Sequence, residues 1–231
     1  MSSYIFPALF VFMLILIFSN FRTSGTKKIT DELFSIRCAF VNFYALKIND
    51  GYALFDAGMN AAIAKYGLRR HRIAPESVKH VFLTHTDYDH AGGLSAFPNA
   101  AVYISADEEQ MIDGRTARRG FIYNSRIKSY RAMKDGESAA AGGKRVKLIN
   151  APGHTPGSAA YLIDDRILVT GDILRINKKG EIKPFLWLMN KDHARDIESA
   201  EMIRGIADGA DYVLTGHTGF YSRKGRAGQK K

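Results

Sequence analysis

Hydrophobic positions divide the chain into two regimes. From Tyr4 to Phe18 every residue is apolar or aromatic apart from Pro7 and the tyrosine hydroxyl, whereas beyond Thr30 short apolar runs alternate with polar turns. Counted on to Phe21, the first segment holds eighteen residues, near the lower limit for a helix that crosses a bilayer. It is apolar all round and ends in a polar stretch, which predicts a hydrophobic N-terminal helix over residues 1–21 and a linker over 22–32. The expected role is an uncleaved, single-pass membrane anchor inserted through residues 4–21, with a cleaved secretory signal sequence as the alternative. Against cleavage, no Lys or Arg precedes the apolar run and Ser19-Asn20-Phe21 is a poor cleavage site. Arg22, Lys27 and Lys28 follow the run, and the positive-inside bias then puts the rest of the chain on the cytoplasmic side.

The second regime reads as strands with a few helices and no internal repeat. Apolar residues alternate at Phe34, Ile36, Cys38 and Phe40. Tyr44, Leu46 and Ile48 lead into Asn49-Asp50-Gly51, whose Asp-Gly step favours a tight hairpin into a strand over 52–55. A short helix is predicted over 60–68, a buried strand over 81–84, and further strands over 102–105, 146–149, 159–163, 167–170 and 212–215. The strongest helix spans 192–207, with Ala194, Ile197, Ala200, Ile203 and Ile206 close to one face. At 231 residues and 46% hydrophobic composition, the chain can bury one substantial core, in a single domain over 33–220.

The formal charge of +10 is unevenly placed. Arg223, Lys224, Arg226, Lys230 and Lys231 have no acid among them, which makes 221–231 a basic, disordered tail. A second basic stretch, 115–147, includes Arg118, Arg119, Arg126 and Lys128 and reads as solvated surface rather than a site for acidic substrates or lipid. Cys38 is the single cysteine, so it forms no internal disulfide, and it sits in an apolar run as a small buried thiol.

Candidate chemistry collects at one kind of place, the loop after a predicted strand. His85, Asp87, Asp89 and His90 follow the strand ending near Thr84, His154 follows Ile149, Asp172 follows Thr170 and His217 follows Thr215. Rigid strands that deliver imidazole and carboxylate to one point can hold a divalent ion, and zinc, iron and manganese accept those ligands. Glycines flank each cluster and permit tight turns.

These residues carry a resemblance. The run from Thr84 through His85-Thr86-Asp87-Tyr88-Asp89-His90 to Gly92-Gly93 resembles the signature loop of the metallo-β-lactamase superfamily. That loop is His-X-His-X-Asp-His before a Gly pair, and here Asp87 stands where the second histidine is usual. Gly153-His154-Thr155-Pro156-Gly157-Ser158 is similar to the glyoxalase II-like form of the third motif. Thr170-Gly171-Asp172 resembles the bridging-aspartate motif, and Thr215-Gly216-His217 the final histidine motif. Asn42-Phe43-Tyr44 through Asp56-Ala57-Gly58 resembles the opening hairpin, so the likeness runs over 34–219, with the motifs in the family's order.

The resemblance implies an α+β fold, a four-layer αββα sandwich with a two-metal site at one edge of its sheets. His85, His154 and Asp87 would bind the first metal, Asp89, His90 and His217 the second, and Asp172 would bridge them. Asp56 matches a structural acid behind the site. Two divalent ions are expected, zinc by family and manganese or iron if Asp87 hardens the first position. Asp87 is expected to ligate, because an uncoordinated carboxylate beside two cations and three other acids would have no better partner; if it points away instead, the first metal would bind weakly or be lost. Such a pair of ions would share a hydroxide that attacks the substrate, with Asp89 orienting it or passing its proton onward.

Hydrolysis of a small-molecule ester, thioester or lactone is the leading function, from the form of the third motif and the compact length. A phosphodiesterase or nuclease on the same site and a degenerate, non-catalytic binding protein are the alternatives. A nucleic-acid partner is not expected, since the chain lacks the long insertion of the nuclease branches, although Phe121, Tyr123 and Tyr130 among arginines could stack on bases or form a lid. His71, His80 and His193 read as ordinary histidines, and Trp187 as core, although the resemblance implies that its region can help line the substrate pocket.

Overall fold

A computed structural model of the chain describes residues 21–223. The alternating and apolar runs become two sheets. The first takes its strands in chain order: β1 (Lys27–Lys28), β2 (Leu33–Cys38), β3 (Val41–Ile48), β4 (Gly51–Phe55), β5 (Val78–Phe82), β6 (Ala101–Ser105) and β7 (Arg131–Met133). The second contains β8 (Ser138–Ala141), β9 (Lys144–Asn150), β10 (Ala159–Ile163), β11 (Ile167–Gly171), β14 (Tyr212–Thr215) and β15 (Gly219–Ser222), in the order β15-β14-β11-β10-β9-β8. A separate ribbon pairs β12 (Leu174–Ile176) with β13 (Ile182–Pro184). The helices are α1 (Ala61–Arg69), α2 (Tyr88–Ala91), α3 (Glu109–Ile112) and α4 (His193–Ala207).

Strands β2 and β3 are buried at nearly every position, not at every second one. The reason is that both faces of each sheet are covered. Ala64 and Leu68 of α1 pack with Ile36, Phe43, Leu54 and Val81 on the outer face of the first sheet. Its inner face brings Tyr44, Phe55 and Phe82 against Leu148, Tyr161, Val169 and Leu214 of the second sheet. Leu168 and Val213 turn outward onto Ala200, Ile203 and Ala207 of α4. These clusters are the interfaces of an αββα stack.

The polarity of the strands positions everything that follows. β4, β5 and β6 are parallel neighbours, and so are β11 and β14, while β9 and β11 both run antiparallel to β10 between them. The carboxyl ends of these strands therefore share one edge, where loop residues can meet. Side-chain and backbone bonds lock the sheets together there. Tyr44 OH donates to Thr215 O at 2.8 Å and Gly219 O at 2.9 Å, Tyr161 OH donates to Leu83 O at 2.9 Å, and Ala159 N donates to Thr84 O at 2.8 Å.

Several expectations change. Among the described residues, no helix is long and apolar enough to cross a membrane, so the expected single-pass anchor, and the cytoplasmic placement that depended on it, are not supported. Phe21, the last residue of that segment, is not helical; its ring stacks on His217 with centroids 4.2 Å apart, and Arg22 N donates to His217 O at 2.8 Å. The end of the apolar run is thus packed on the domain. The expected helix and signal sequence over residues 1–20, and the tail over 224–231, lie outside the described residues. Gly219–Ser222 belongs to β15, so the tail assigned from 221 starts inside a strand. Helix α4 follows Asp192, whose side chain accepts from Arg195 N as the N-cap, but its buried face is Asp196, Ser199, Ala200, Ile203 and Ala207. It is rotated from the apolar stripe because polar partners lie inward: Ser199 Oγ donates to Pro152 O at 2.7 Å and Asn190 Nδ2 to Asp196 Oδ2 at 2.7 Å. Trp187, expected in the core, is exposed.

Two outcomes follow from this packing. Tyr44→Phe strips the hydroxyl from two buried carbonyls and should cost about 1–3 kcal/mol in urea unfolding. Burial pushes the Asp196 carboxyl up to about 7, against the Asn190 hydrogen bond and with the charge of Asp172 acting in the same upward sense. Because the folded value is raised above the ordinary one near ~4, the fold favours the protonated acid and loses stability as pH rises across that window. Asp196→Asn should flatten that decline, read as melting temperature against pH.

Candidate metal centre

The strand ends converge as their spacing implied. Short α2 starts right after Asp87 and carries Asp89 and His90. His85 and Asp87 extend from β5, His154 from β9, Asp172 from β11 and His217 from β14. Ligand-type atoms within 4.8 Å of one another form the groups His85–Asp87–His154, His85–His90–Asp172 and Asp89–His90–His217. Asp172 lies between the sides. Its Oδ2 is 3.0 Å from His217 Nε2 and 3.6 Å from His154 Nε2, and its Oδ1 is 3.5 Å from His90 Nε2. Asp89 Oδ2 lies 3.3 Å from His217 Nε2 and 3.7 Å from His90 Nε2. His71, His80 and His193 belong to none of these groups; His80 Nδ1 pairs with Tyr103 OH at 3.1 Å.

Each histidine is aimed by an acceptor at its other nitrogen. His90 Nδ1 bonds Asp56 Oδ2 at 2.8 Å, His217 Nδ1 bonds Phe40 O at 2.8 Å, and His154 Nδ1 bonds Asn190 Oδ1 at 3.2 Å. His85 Nδ1 pairs with Thr84 Oγ1 at 3.1 Å, whose hydroxyl donates in turn to Asp56. With Nδ1 donating, every Nε2 presents a lone pair to the centre, the arrangement a metal requires. Asp56, read as a structural acid, fills that role with its backbone at φ 63, a left-handed conformation costing about 1–3 kcal/mol for a non-glycine residue.

Glu108, not singled out by its sequence, is a second fully buried acid behind the ligands. It accepts from Thr86 N and Thr86 Oγ1, both at 2.8 Å, from Thr155 Oγ1 at 2.7 Å and from Gly157 N at 3.1 Å. The carboxylate thereby ties the His85 loop to the His154 loop. Gly157 is required for this approach, because a Cβ there would lie 2.0 Å from Glu108 N. The rule that found the ligands, polar residues after a strand, also applies to Asp107-Glu108-Glu109 after β6.

The donor set fits a divalent ion on the His90 side. His90 Nε2 and Asp172 Oδ1 are buried there without a hydrogen-bond partner, as is His85 Nε2, which groups with them and also with Asp87 and His154. Burial opposes charge on His90 and His217, yet Asp172 and the neighbouring acids outweigh it, raising His90 well above its ordinary value and His217 to about 9. Burial likewise opposes ionisation of Asp172, but His217 and His90 hold it well below the carboxylate range. Such a cluster demands positive charge, and a metal ion would replace the imidazole protons.

The other side differs. Arg118, expected on a solvated surface, is buried, and its Nε donates to both Asp87 oxygens at 2.9 and 2.8 Å. Its Nη2 donates to His154 Nε2 at 3.1 Å and to Met189 O at 2.7 Å, while Asn124 Nδ2 adds a bond to Asp87 Oδ1 at 3.1 Å. Asp87 therefore has the partner its sequence did not reveal. Here burial holds the His154 imidazole below its ordinary value, with Asp87 opposing. Two unit charges 4 Å apart interact by about 4 kcal/mol at an effective dielectric constant of ~20, and a divalent ion beside the guanidinium would meet about twice that.

The fold and the site have counterparts. Residues 36–226 match the family profile described as the metallo-beta-lactamase superfamily. A probable metallo-hydrolase of Methanocaldococcus jannaschii is 29% identical over 153 residues, 66% of this chain and 63% of that protein. A hydroxyacylglutathione hydrolase of Gloeobacter violaceus is 35% identical over 85 residues, 35% of this chain and 28% of its own length. The match thus spans less than two thirds of either relative. A solved structure, a metallo-beta-lactamase family protein of Thermus thermophilus, shares the fold with a TM-score of 0.65 and 20% identity, over 84% of this chain and 76% of that one. By its family profile and its histidines and aspartates gathered at the strand ends, the chain belongs to the metallo-beta-lactamase superfamily.

Proposed function

We propose that the chain hydrolyses a small ester, thioester or lactone with divalent ions, zinc by the donor set, held around Asp172 by His85, Asp87, Asp89, His90, His154 and His217. The observation that carries this reading is the convergence of histidine Nε2 atoms and carboxylates on Asp172, with His85 Nε2 and His90 Nε2 buried and unpartnered. Bound there, a divalent ion supplies Lewis acidity toward a carbonyl oxygen and lowers the pKa of water to about 7.

The chain's own residues do the rest. Asp56, Phe40 O and Asn190 fix the imidazole orientations, so no reorganisation is needed when substrate arrives. Asp89 is the most exposed acid of the centre, its side chain 22% accessible against 16% for Asp87 and 3% for Asp172, so it is the group placed to exchange a proton with solvent. Cys38 is buried with its Sγ 3.9 Å from Asn60 O, which leaves it no part as a nucleophile. Tyr88, Phe121, Ile122, Tyr123 and Trp187 are exposed on the segments that carry Asp87, Arg118 and Met189, and their apolar surface would suit an acyl group. Similarity to a hydroxyacylglutathione hydrolase supports a thioester. One observation favours a phosphodiester instead, the arginines of the segment that delivers Arg118.

The full-length protein, reconstituted with zinc or manganese, should hydrolyse members of an ester, thioester and lactone panel and lose the activity to a chelator. Turnover confined to phosphodiesters would refute the acyl reading, and no turnover on any class, β-lactams included, would favour a binding role. Asp56→Ala should weaken metal binding on the His90 side about 10–100-fold by freeing that imidazole, measured by competition with a chromophoric chelator.

A further inference from the structure

We propose that Arg118 is a resident cation that competes with metal for Asp87 and His154, so that the sides of Asp172 bind unequally. One divalent ion is held tightly by Asp89, His90, His217 and Asp172, and a second only loosely by His85, Asp87 and His154. This rests on the metal reading of the centre and concerns how its positions differ.

Three observations carry it. The lone pair that His154 would offer a metal already accepts from Arg118 Nη2 at 3.1 Å, whereas His90 Nε2, on the other side of Asp172, has no donor. Asp87, at the position that departs from the family's histidine, accepts from Arg118 Nε through both oxygens and from Asn124 Nδ2 through one. A histidine at 87 would leave the guanidinium without its counter-charge, so the acid and the arginine make sense as a pair. Finally, Arg118 is held where it is. Its side chain is 9% exposed, its Nη2 also donates to Met189 O at 2.7 Å, and the flanking residues clamp the same two segments. Arg119 Nη2 donates to Leu188 O, and Lys191 Nζ donates to Ala117 O at 2.8 Å. An ion entering this side must displace a charge-assisted pair and disturb that clamp, costs the His90 side does not carry.

The test uses the full-length protein, freed of metal by a chelator and titrated with zinc by calorimetry and with cobalt(II) by its visible absorption. The expected result is one tight ion and a second weaker by about tenfold or more. Arg118→Ala and Arg118→Met should tighten the second ion by about tenfold and leave the first almost unchanged, with Arg118→Lys in between. Circular dichroism and thermal unfolding identify which variants are folded, and the wild-type titration decides even if none is. Two ions of equal affinity in the wild type overturn the proposal, as does a weak position unaffected in folded Arg118 variants. Failure of the folded wild type to bind either metal is a different result, since it removes the metal reading itself and this inference with it.

Discussion

The need to balance negative charge in a buried space governs this molecule. Asp56, Asp87, Asp89, Asp172 and Glu108 crowd the edge where the strands end, and all but Asp87 and Asp89 are fully buried. Carboxylates so placed are untenable without cations or donors. The protein meets the demand in three ways. Glu108 and Asp56 are satisfied by hydrogen bonds, Asp87 by Arg118, and Asp172 with Asp89 by the imidazoles of His90 and His217, whose Nε2 protons a divalent ion would replace.

The two hydrogen-bonded acids also do the mechanical work. Asp56 joins the end of β4 to Thr84 and His90, and Glu108 joins the end of β6 to the loops of His85 and His154. His85, His90 and the loop of His154 are consequently braced by elements other than their own. The sheets are stitched at the same edge by Tyr44 and Tyr161. Preorganisation of this kind suits a reactive centre, because interactions fixed beforehand need no rearrangement during a reaction.

Around this rigid edge lie segments whose composition misleads. The apolar N-terminal run suggests a membrane helix, yet its last residue, Phe21, stacks on His217 and lies near Phe185 and Phe40, contributing an apolar wall beside the centre. The basic stretch from Arg115 suggests solvated surface, yet it delivers Arg118 and Asn124 to Asp87. In both cases average composition describes the segment correctly and the decisive residue poorly. Most of the arginines are surface groups; one is buried because a carboxylate waits for it.

The sequence by itself determined which candidate ligands the chain carries, their attachment to strand ends and most of the elements, because these are local. Hydrophobic runs encode β5, β10, β11 and β14, Asn49-Asp50-Gly51 encodes a turn, and the spacing from His85 to His90 places several ligands on one short loop and helix. Short or small-residue strands such as β7, β8, β12 and β13 left no period to read, since three or four residues do not define one. Only the tertiary structure decided that Glu108 braces Thr155 from 47 positions away, that Arg118 neutralises Asp87 across 31, and that α4 turns Asp196 inward. The physical reason is that charge pairing and burial depend on distance in space. A chain shows which charges it carries in its order, and only folding shows which of them meet.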